Sequence, residues 1–368
     1  MPMLQVTYSD EPTGVIGHLV VDRVVGGVAA GGLRISPTLE LAELEALARN
    51  MTMKQAAVGI RVGGAKSGLR MAPDHPERAA VLRRFLRALR PLIAETYSVG
   101  PDLNNTLAEL EAAGRDVGLP CLKIAVGRAR GLSDAVFLQR YALLEASTAA
   151  GSVNELRAPT AVAAAVLTTL AHLGVASGDA RVAVQGAGAM GGGTAKLLAR
   201  AGVRITAWAD DQHLHRAATG LPVDELLGGR RDGRLPAPAA PAPSAGILDE
   251  PCDVLVLAAI SNAVRADDLA RLRTRAVVQA ANLAMPAQVE EQAHAAGILV
   301  VPDLLASAGG SLAVEALYEG APTTGDDILT HVRERATALV AAALRAGAEQ
   351  RVPLRAVVRA QADRVLRE

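Results

Sequence analysis

Aromatic residues, cysteine and lysine are all scarce in this chain of 368 residues. Two Phe, four Tyr and one Trp provide no run of rings on which successive bases could stack, which argues against single-stranded nucleic acid as a partner. The formal net charge of zero gives no basic field for nucleic acid or for a membrane surface. Cys121 and Cys252 stand far apart and suggest a reduced, cytoplasmic protein rather than a disulfide framework. No Cys/His cluster has metal-site spacing. His213 and His215 in "DDQHLHRAATG" lack further ligands, so no metal is expected. The opening residues do not pair a basic stretch with an apolar run, so no signal peptide is expected. The apolar stretch "TAVAAAVLTTLAHLGVA", Thr160 to Ala176, is short for a membrane span, carries His172 and reads as a buried helix.

Lysine is the most informative scarcity. Of 38 basic residues only Lys54, Lys66, Lys123 and Lys196 are lysine. A GC-rich genome would account for much of the arginine excess, yet two of the four lysines fall in one short stretch, "MTMKQAAVGIRVGGAKSG".

The length suits two domains and the 50% hydrophobic content a substantial core. In the first third, "GVIGHLVVDRVVGG" suits a strand pair or meander. "SPTLELAELEALARNMTMKQAA" reads as a helix with Leu41, Leu44, Ala48 and Met51 on its apolar face, and "HPERAAVLRRFLRALRPLIAET" as a second with Val81, Leu82, Phe85, Leu86 and Leu89. From about residue 160 strands and helices alternate through "CDVLVLAAI", "AVVQAAN" and "GILVVPDLLA", the pattern of a parallel, doubly wound α/β sheet. "PAPAAPAPSAG" reads as a surface loop or linker, and the last forty residues as helices.

Within that half, "VAVQGAGAMG" places Gly186, Gly188 and Gly191 in G-x-G-x-x-G spacing after a β-branched strand and at the opening of a helix. Asp210 follows at the end of the next strand. This context is the dinucleotide fingerprint. Gly186 permits the tight turn, Gly188 the approach of a pyrophosphate and Gly191 close helix–strand packing. Ala189 and Met190 lie in the first helical turn, where free N–H groups favour an anion. A carboxylate at Asp210 would accept from an adenosine ribose and repel a 2′-phosphate, so NAD is expected over NADP, although Arg204 or Arg216 could compensate.

The chemistry must come from the other half. Lys54 lies at the edge of a helical apolar stripe, where it either borders a cleft or snorkels to water. Lys66 is flanked by glycines in "GGAKSG". Burial and a neighbouring amine lower a lysine pKa, and a lysine so tuned acts as a base near neutral pH, which arginine cannot do. Asp102 in "GPDLNN" could complete such a site or simply cap the helix that follows it.

Taken together, "GGLRISP", "MTMKQAA", "GGAKSG", "GPD", the glycine fingerprint, "AAISN", "AAN" and "GILVVPDLLASAGG" resemble the glutamate/leucine/phenylalanine/valine dehydrogenase superfamily in order and spacing over most of the chain. The resemblance implies reversible NAD(P)-dependent oxidative deamination of an L-amino acid to a 2-oxo acid and ammonia. It implies a substrate domain over residues 1–145, joined by a C-terminal helix of about 346–368. A Rossmann domain over 146–345, a cleft between the two domains and homo-oligomeric assembly are implied as well. Lys54 would bind the substrate carboxylate beside Gly31 and Gly32, Lys66 would activate water, and Asp102 would exchange protons with the amino group. Thr160, Ala259, Asn282 and Ser307 would flank the cofactor.

Glutamate-specific members carry a lysine where this chain has Ala30 and a serine where it has Val314, so the expected substrate is apolar, of the leucine, valine or phenylalanine type. Glutamate dehydrogenase is the alternative. Ser307 stands in place of the usual asparagine, and Ala163 in place of a glycine. These two departures leave open a catalytically weak dinucleotide-binding relative, and a biosynthetic enzyme on the same fold is a separate alternative.

Overall fold

The computed structural model describes residues 3–231 and 233–367. They divide into two compact units, one running up to Ala142 and resumed from Gln361, the other Leu143–Ala360. Residues 346–360 therefore group with the second unit, and the C-terminal return begins later than the expected 346.

The first unit is built on a sheet of β1 (Leu4–Ser9), β2 (Ile16–Val21), β3 (Ala29–Ile35), β4 (Gly63–Arg70) and β5 (Tyr97–Pro101), in the order β1-β2-β4-β3-β5. β3 runs parallel to both β4 and β5, whereas β1–β2 and β2–β4 are antiparallel. Helix α1 (Leu41–Ala57) packs on β4, with Leu44 and Ala48 against Val20. The larger core forms where Leu19, Leu33 and Leu69 of the sheet meet Phe85 and Leu86 of α2 (Arg78–Glu95). α3 (Leu107–Asp116), α4 (Ile124–Ala129) and α5 (Asp134–Tyr141) complete the unit.

The buried face of α2 is the one its periodicity predicts. That of α1 differs: Met51 is only half-buried, while Thr52, Lys54 and Gln55 are buried. Polar groups at these positions reflect what α1 covers. Thr52 donates to Asp22 at 2.6 Å and accepts from the Gly64 amide at 3.0 Å.

The glycines of β4 were not readable as a strand, because glycine disfavours extended structure. Here they are steric necessities. A Cβ on Gly63 would lie 1.8 Å from the Arg23 carbonyl oxygen, and one on Gly64 2.2 Å from both the Ala48 carbonyl oxygen and the Thr52 amide.

The second unit opens with a short ladder, β6 (Ser147–Thr148) and β7 (Gly151–Ser152), then α6 (Val153–His172), whose start is fixed by a capping box between Ser152 and Glu155. β8 (Arg181–Gln185), α7 (Ala189–Arg200), β9 (Arg204–Ala209), β10 (Leu214–Arg216), α8 (Val223–Gly228), β11 (Cys252–Leu257), β12 (Thr274–Gln279), α9 (Ala287–Ala295) and β13 (Leu299–Val301) follow. The sheet order β10-β9-β8-β11-β12-β13 reverses direction at β8, as a doubly wound fold requires, and only β10 is antiparallel. The proline-rich stretch is a loop of this unit, tied to β10 where the Leu214 amide donates to the Ala242 carbonyl.

α10 (Asp303–Ala306), α11 (Gly309–Glu319), α12 (Gly325–Gln350) and α13 (Leu354–Val365) close the chain, with α12 packed along α6. A buried charge cluster fixes the start of α13. Arg355 bonds Glu290 at 2.8 Å and Asp303 at 2.8 Å, and Asp303 also accepts from the Leu283 amide. Among the described residues no helix is long and apolar enough to cross a membrane.

Candidate active site

The parallel β3–β4–β5 segment brings three sequence-predicted residues together. Lys66 on β4 has its Nζ 3.1 Å from Oδ2 of Asp102, which immediately follows β5. Gly32 of β3 lies between them. A Cβ there would fall 2.8 Å from the Asp102 Cβ and 3.3 Å from the Lys66 Nζ. The glycine thus leaves room for the ammonium. Lys66 is 7% exposed. Burial pushes its pKa down, and the attraction of Asp102 opposes that shift without cancelling it. Burial pushes the Asp102 carboxyl up, but the charge of Lys66 and the bonds from Arg34 outweigh it and hold the carboxyl below its usual range.

Asp102 is not a helix cap: Thr106 caps α3 by accepting from the Glu109 amide. Instead the Asp102 amide donates to the Asn105 side chain at 3.1 Å, and Asn105 donates to the Leu33 carbonyl at 2.7 Å, which ties the turn to β3. Sequence reasoning missed Arg34. Its Nε donates to Asp102 at 2.8 Å, and its other arm reaches Glu43 at the start of α1. "GGLRISP" contained it, but one arginine among thirty-four carries no compositional signal.

Lys54 lies in the last turn of α1, the helix that covers β4, and is 6% exposed. So small an exposure does not fit a side chain that snorkels to water. Ala30 is half-buried on β3, opposite Gly64 and Ser98. Gly31 is buried beside the Ala65 backbone. Neither cysteine is a nucleophile at neutral pH, since burial pushes the Cys121 thiol up to about 12 and the Cys252 thiol to about 11.

In the second unit Gly186 has φ +103°, and a Cβ there would meet the Ala258 backbone at 2.8 Å. A Cβ on Gly191 would lie 2.0 Å from the Gly186 carbonyl oxygen. Gly188, the residue before α7, has nothing within 4 Å of such an atom. Ala189 and Met190 open α7, where the first amides lack intrahelical acceptors.

A cavity of ≈560 Å³ runs from Gly186 and Gly188 past Asp210 and Ala259. Its open space at Gly188, beside a helix start, fits a dinucleotide. The Asp210 carboxylate accepts from the amides of Gln212, His213 and Leu235. Of the roughly four acceptor positions a carboxylate offers, one is left for a ribose hydroxyl. Arg234 lines the same cavity and pairs with Asp211 at 2.7 Å.

Thr160 is buried in α6. Asn282 is exposed, and its carbonyl accepts from Ser261 at 2.8 Å. Ser307 turns its hydroxyl to the Asp303 carbonyl at 2.7 Å. Val314 lies half-buried on α11.

The chain carries a buried lysine–aspartate pair and a glycine-lined cavity, and it belongs to the Glutamate/Leucine/Phenylalanine/Valine dehydrogenase family, a family of pyridine-nucleotide dehydrogenases. Residues 151–366 match that family's profile, and residues 7–115 match the profile described as the Glu/Leu/Phe/Val dehydrogenase dimerisation domain. It is therefore an oxidoreductase acting on the CH–NH2 group of amino acids.

The NADP(+)-dependent glutamate dehydrogenase of Pyrobaculum calidifontis is 32% identical over 306 residues, which covers 80% of this chain and 70% of that protein. The catabolic NAD-specific glutamate dehydrogenase of Bacillus subtilis is 26% identical over 303 residues, 77% of this chain and 66% of that protein. Among solved structures, the hetero-hexameric glutamate dehydrogenase of Thermus thermophilus in a Leu-bound form superposes with a TM-score of 0.80 at 28% identity, covering 99% of this chain and 88% of that one. These relatives support glutamate better than the apolar substrate expected from Ala30 and Val314, and they include both NADP- and NAD-specific enzymes.

Proposed function

We propose that the chain catalyses NAD-linked, reversible oxidative deamination of L-glutamate to the 2-oxo acid and ammonia. The observation that carries the chemistry is the 3.1 Å contact between buried Lys66 and Asp102. Lys54 supplies a fixed positive charge for the substrate's α-carboxylate. Lys66, with its lowered pKa, takes a proton from the water that adds to the iminium carbon and then stabilises the developing oxyanion. Asp102, held by Arg34, exchanges protons with the amino group. When bound, a dinucleotide would supply the hydride acceptor for the substrate Cα. Gly186, Gly188, Ala189, Met190 and Gly191 would hold its pyrophosphate. Asp210 would hold its ribose, and Thr160, Ala259, Asn282 and Ser307 would lie toward the nicotinamide end. The carboxylate at Asp210 favours NAD over NADP.

The names of the relatives support glutamate. Ala30 and Val314 favour the second reading, an apolar L-amino acid, because neither offers a group to a second carboxylate. The dimerisation-domain match supports a homo-oligomer, and two free cysteines suit a reducing cytoplasm.

The test is reduction of NAD or NADP, followed by absorbance, with each L-amino acid near pH 10. Turnover with glutamate supports the first reading, and turnover with apolar amino acids alone supports the second. Signal with none would sink both and leave a binding relative without this activity.

A further inference from the structure

In the second unit, four polar side chains are almost wholly buried together. Gln279 ends β12, Glu290 lies in α9, Asp303 opens α10 and Arg355 lies in the first turn of α13. They are 0%, 1%, 0% and 7% exposed. Arg355 donates to Glu290 and to Asp303, each at 2.8 Å, and Gln279 donates to Glu290 at 2.6 Å. One guanidinium thus faces two carboxylates. The other oxygen of Asp303 takes its donor from the Leu283 amide at 3.1 Å, and Gln279 accepts from the Met285 amide at 2.8 Å.

Those two amides belong to the loop between β12 and α9. Leu283 there has φ +50° and is 44% exposed. A left-handed φ is costly for leucine and persists only where the surroundings enforce it. The loop after β11 is strained opposite it. Asn262 has φ +54°, its amide donates to the Leu283 carbonyl at 2.8 Å, and Ser261 donates to the Asn282 carbonyl at 2.8 Å. Ala259 and Ile260 of that same loop line the nucleotide cavity. Apolar packing would serve folding as well as a buried ion cluster. What the charges add is direction, because each oxygen must meet its donor along a hydrogen bond.

The sheet order places β9, which leads to Asp210, on one side of β8, and β11 and β12 on the other. A dinucleotide whose adenosine ribose is held at Asp210 and whose pyrophosphate crosses the turn after β8 turns its nicotinamide half toward these two loops.

We propose that Arg355 is a positioning residue for the nicotinamide end of a bound dinucleotide. It acts through Asp303, whose carboxylate holds the Leu283 amide and whose carbonyl holds the Ser307 hydroxyl, and through Glu290 and Gln279, which hold the Met285 amide. Without the guanidinium, two buried carboxylates repel each other, and Asp303 no longer stays where Leu283 needs it. The inference rests on the dinucleotide reading of the second unit and not on which amino acid is oxidised.

The experiment measures by titration calorimetry the affinities of NADH and of ADP, which keeps the adenosine half and the pyrophosphate, in the wild type and in Arg355→Met. NADH affinity should fall about tenfold while ADP affinity holds. A residue that serves the fold alone would lower the melting temperature and leave the NADH-to-ADP ratio unchanged, which overturns the proposal, as does an equal fall for both ligands. A wild type that binds neither ligand overturns the dinucleotide reading itself. Should Arg355→Met fail to fold, Arg355→Lys takes its place, since lysine keeps the charge without the fork that meets two carboxylates. Should neither fold, hydrogen exchange in the wild type decides: NADH should slow exchange over residues 282–285 more than ADP does, and equal protection is the contrary result.

Discussion

Both units use clustered glycines beside a functional group, but for different physical reasons. In β3 and β4 the glycines are extended, and what excludes a side chain is another part of the protein. The Ala48 carbonyl lies over Gly64, and the Lys66 ammonium lies over Gly32. In the turn before α7, Gly186 needs its left-handed φ and Gly191 packs against the turn itself, whereas Gly188 faces open space. Glycine in the first unit admits the protein's own backbone and ammonium groups. Glycine at position 188 leaves room for something the chain does not contain.

The comparison can be broken in several ways. Lys66→Ala should cost the largest factor, lowering kcat about 10²- to 10⁴-fold as for loss of a general base. Titration of NADH fluorescence should show dinucleotide affinity retained, because the nucleotide residues belong to the other unit. Loss of affinity along with rate would remove the division of labour between the units.

Gly64→Ala drives a Cβ into two backbone atoms and should lower unfolding stability in urea by about 1–3 kcal/mol or more. Gly191→Ala should destabilise in the same way. Gly188→Ala should leave stability within about 0.5 kcal/mol, since no atom is close, yet weaken dinucleotide binding by about tenfold or more. Equal stability losses at 188 and 191 would erase the contrast between the two positions.

The smallest effect is expected at Arg34→Gln. Arg34 helps hold the Asp102 carboxyl below its usual range. Its loss should raise that pKa and move the acid limb of the pH–rate profile upward. An unmoved limb would mean that Arg34 only anchors α1 through Glu43.

The second unit was legible from sequence because its signals are local. A β-branched strand, a glycine turn, a helix and an acid lie within thirty residues. The first unit was legible only in part. Lys66 stood out through composition, but the strand that carries it did not, since "GGAKSGLR" has the wrong propensities and is extended only because α1 and the Arg23 segment demand it. Asp102 had two readings, and only the pairing of β3 with β5 and the cap at Thr106 separate them. The buried polar face of α1 departs from its periodicity for the same reason: Thr52 is there to bond Asp22 and Gly64. Arg34 reaches the site through strand register, which no local pattern encodes.

The central claim is that Lys66 works as a titratable amine held in a buried pair with Asp102. The pH dependence of kcat/KM for amino-acid oxidation by the wild type tests it most directly. Burial lowers the Lys66 pKa, so its base form gains population below pH 10.5, the ordinary lysine value. The account predicts that kcat/KM rises with pH through an apparent pKa below 10.5, a value that belongs to the coupled pair, and then levels off. A rate that is flat across that range, or that climbs only above pH 10.5, would contradict it.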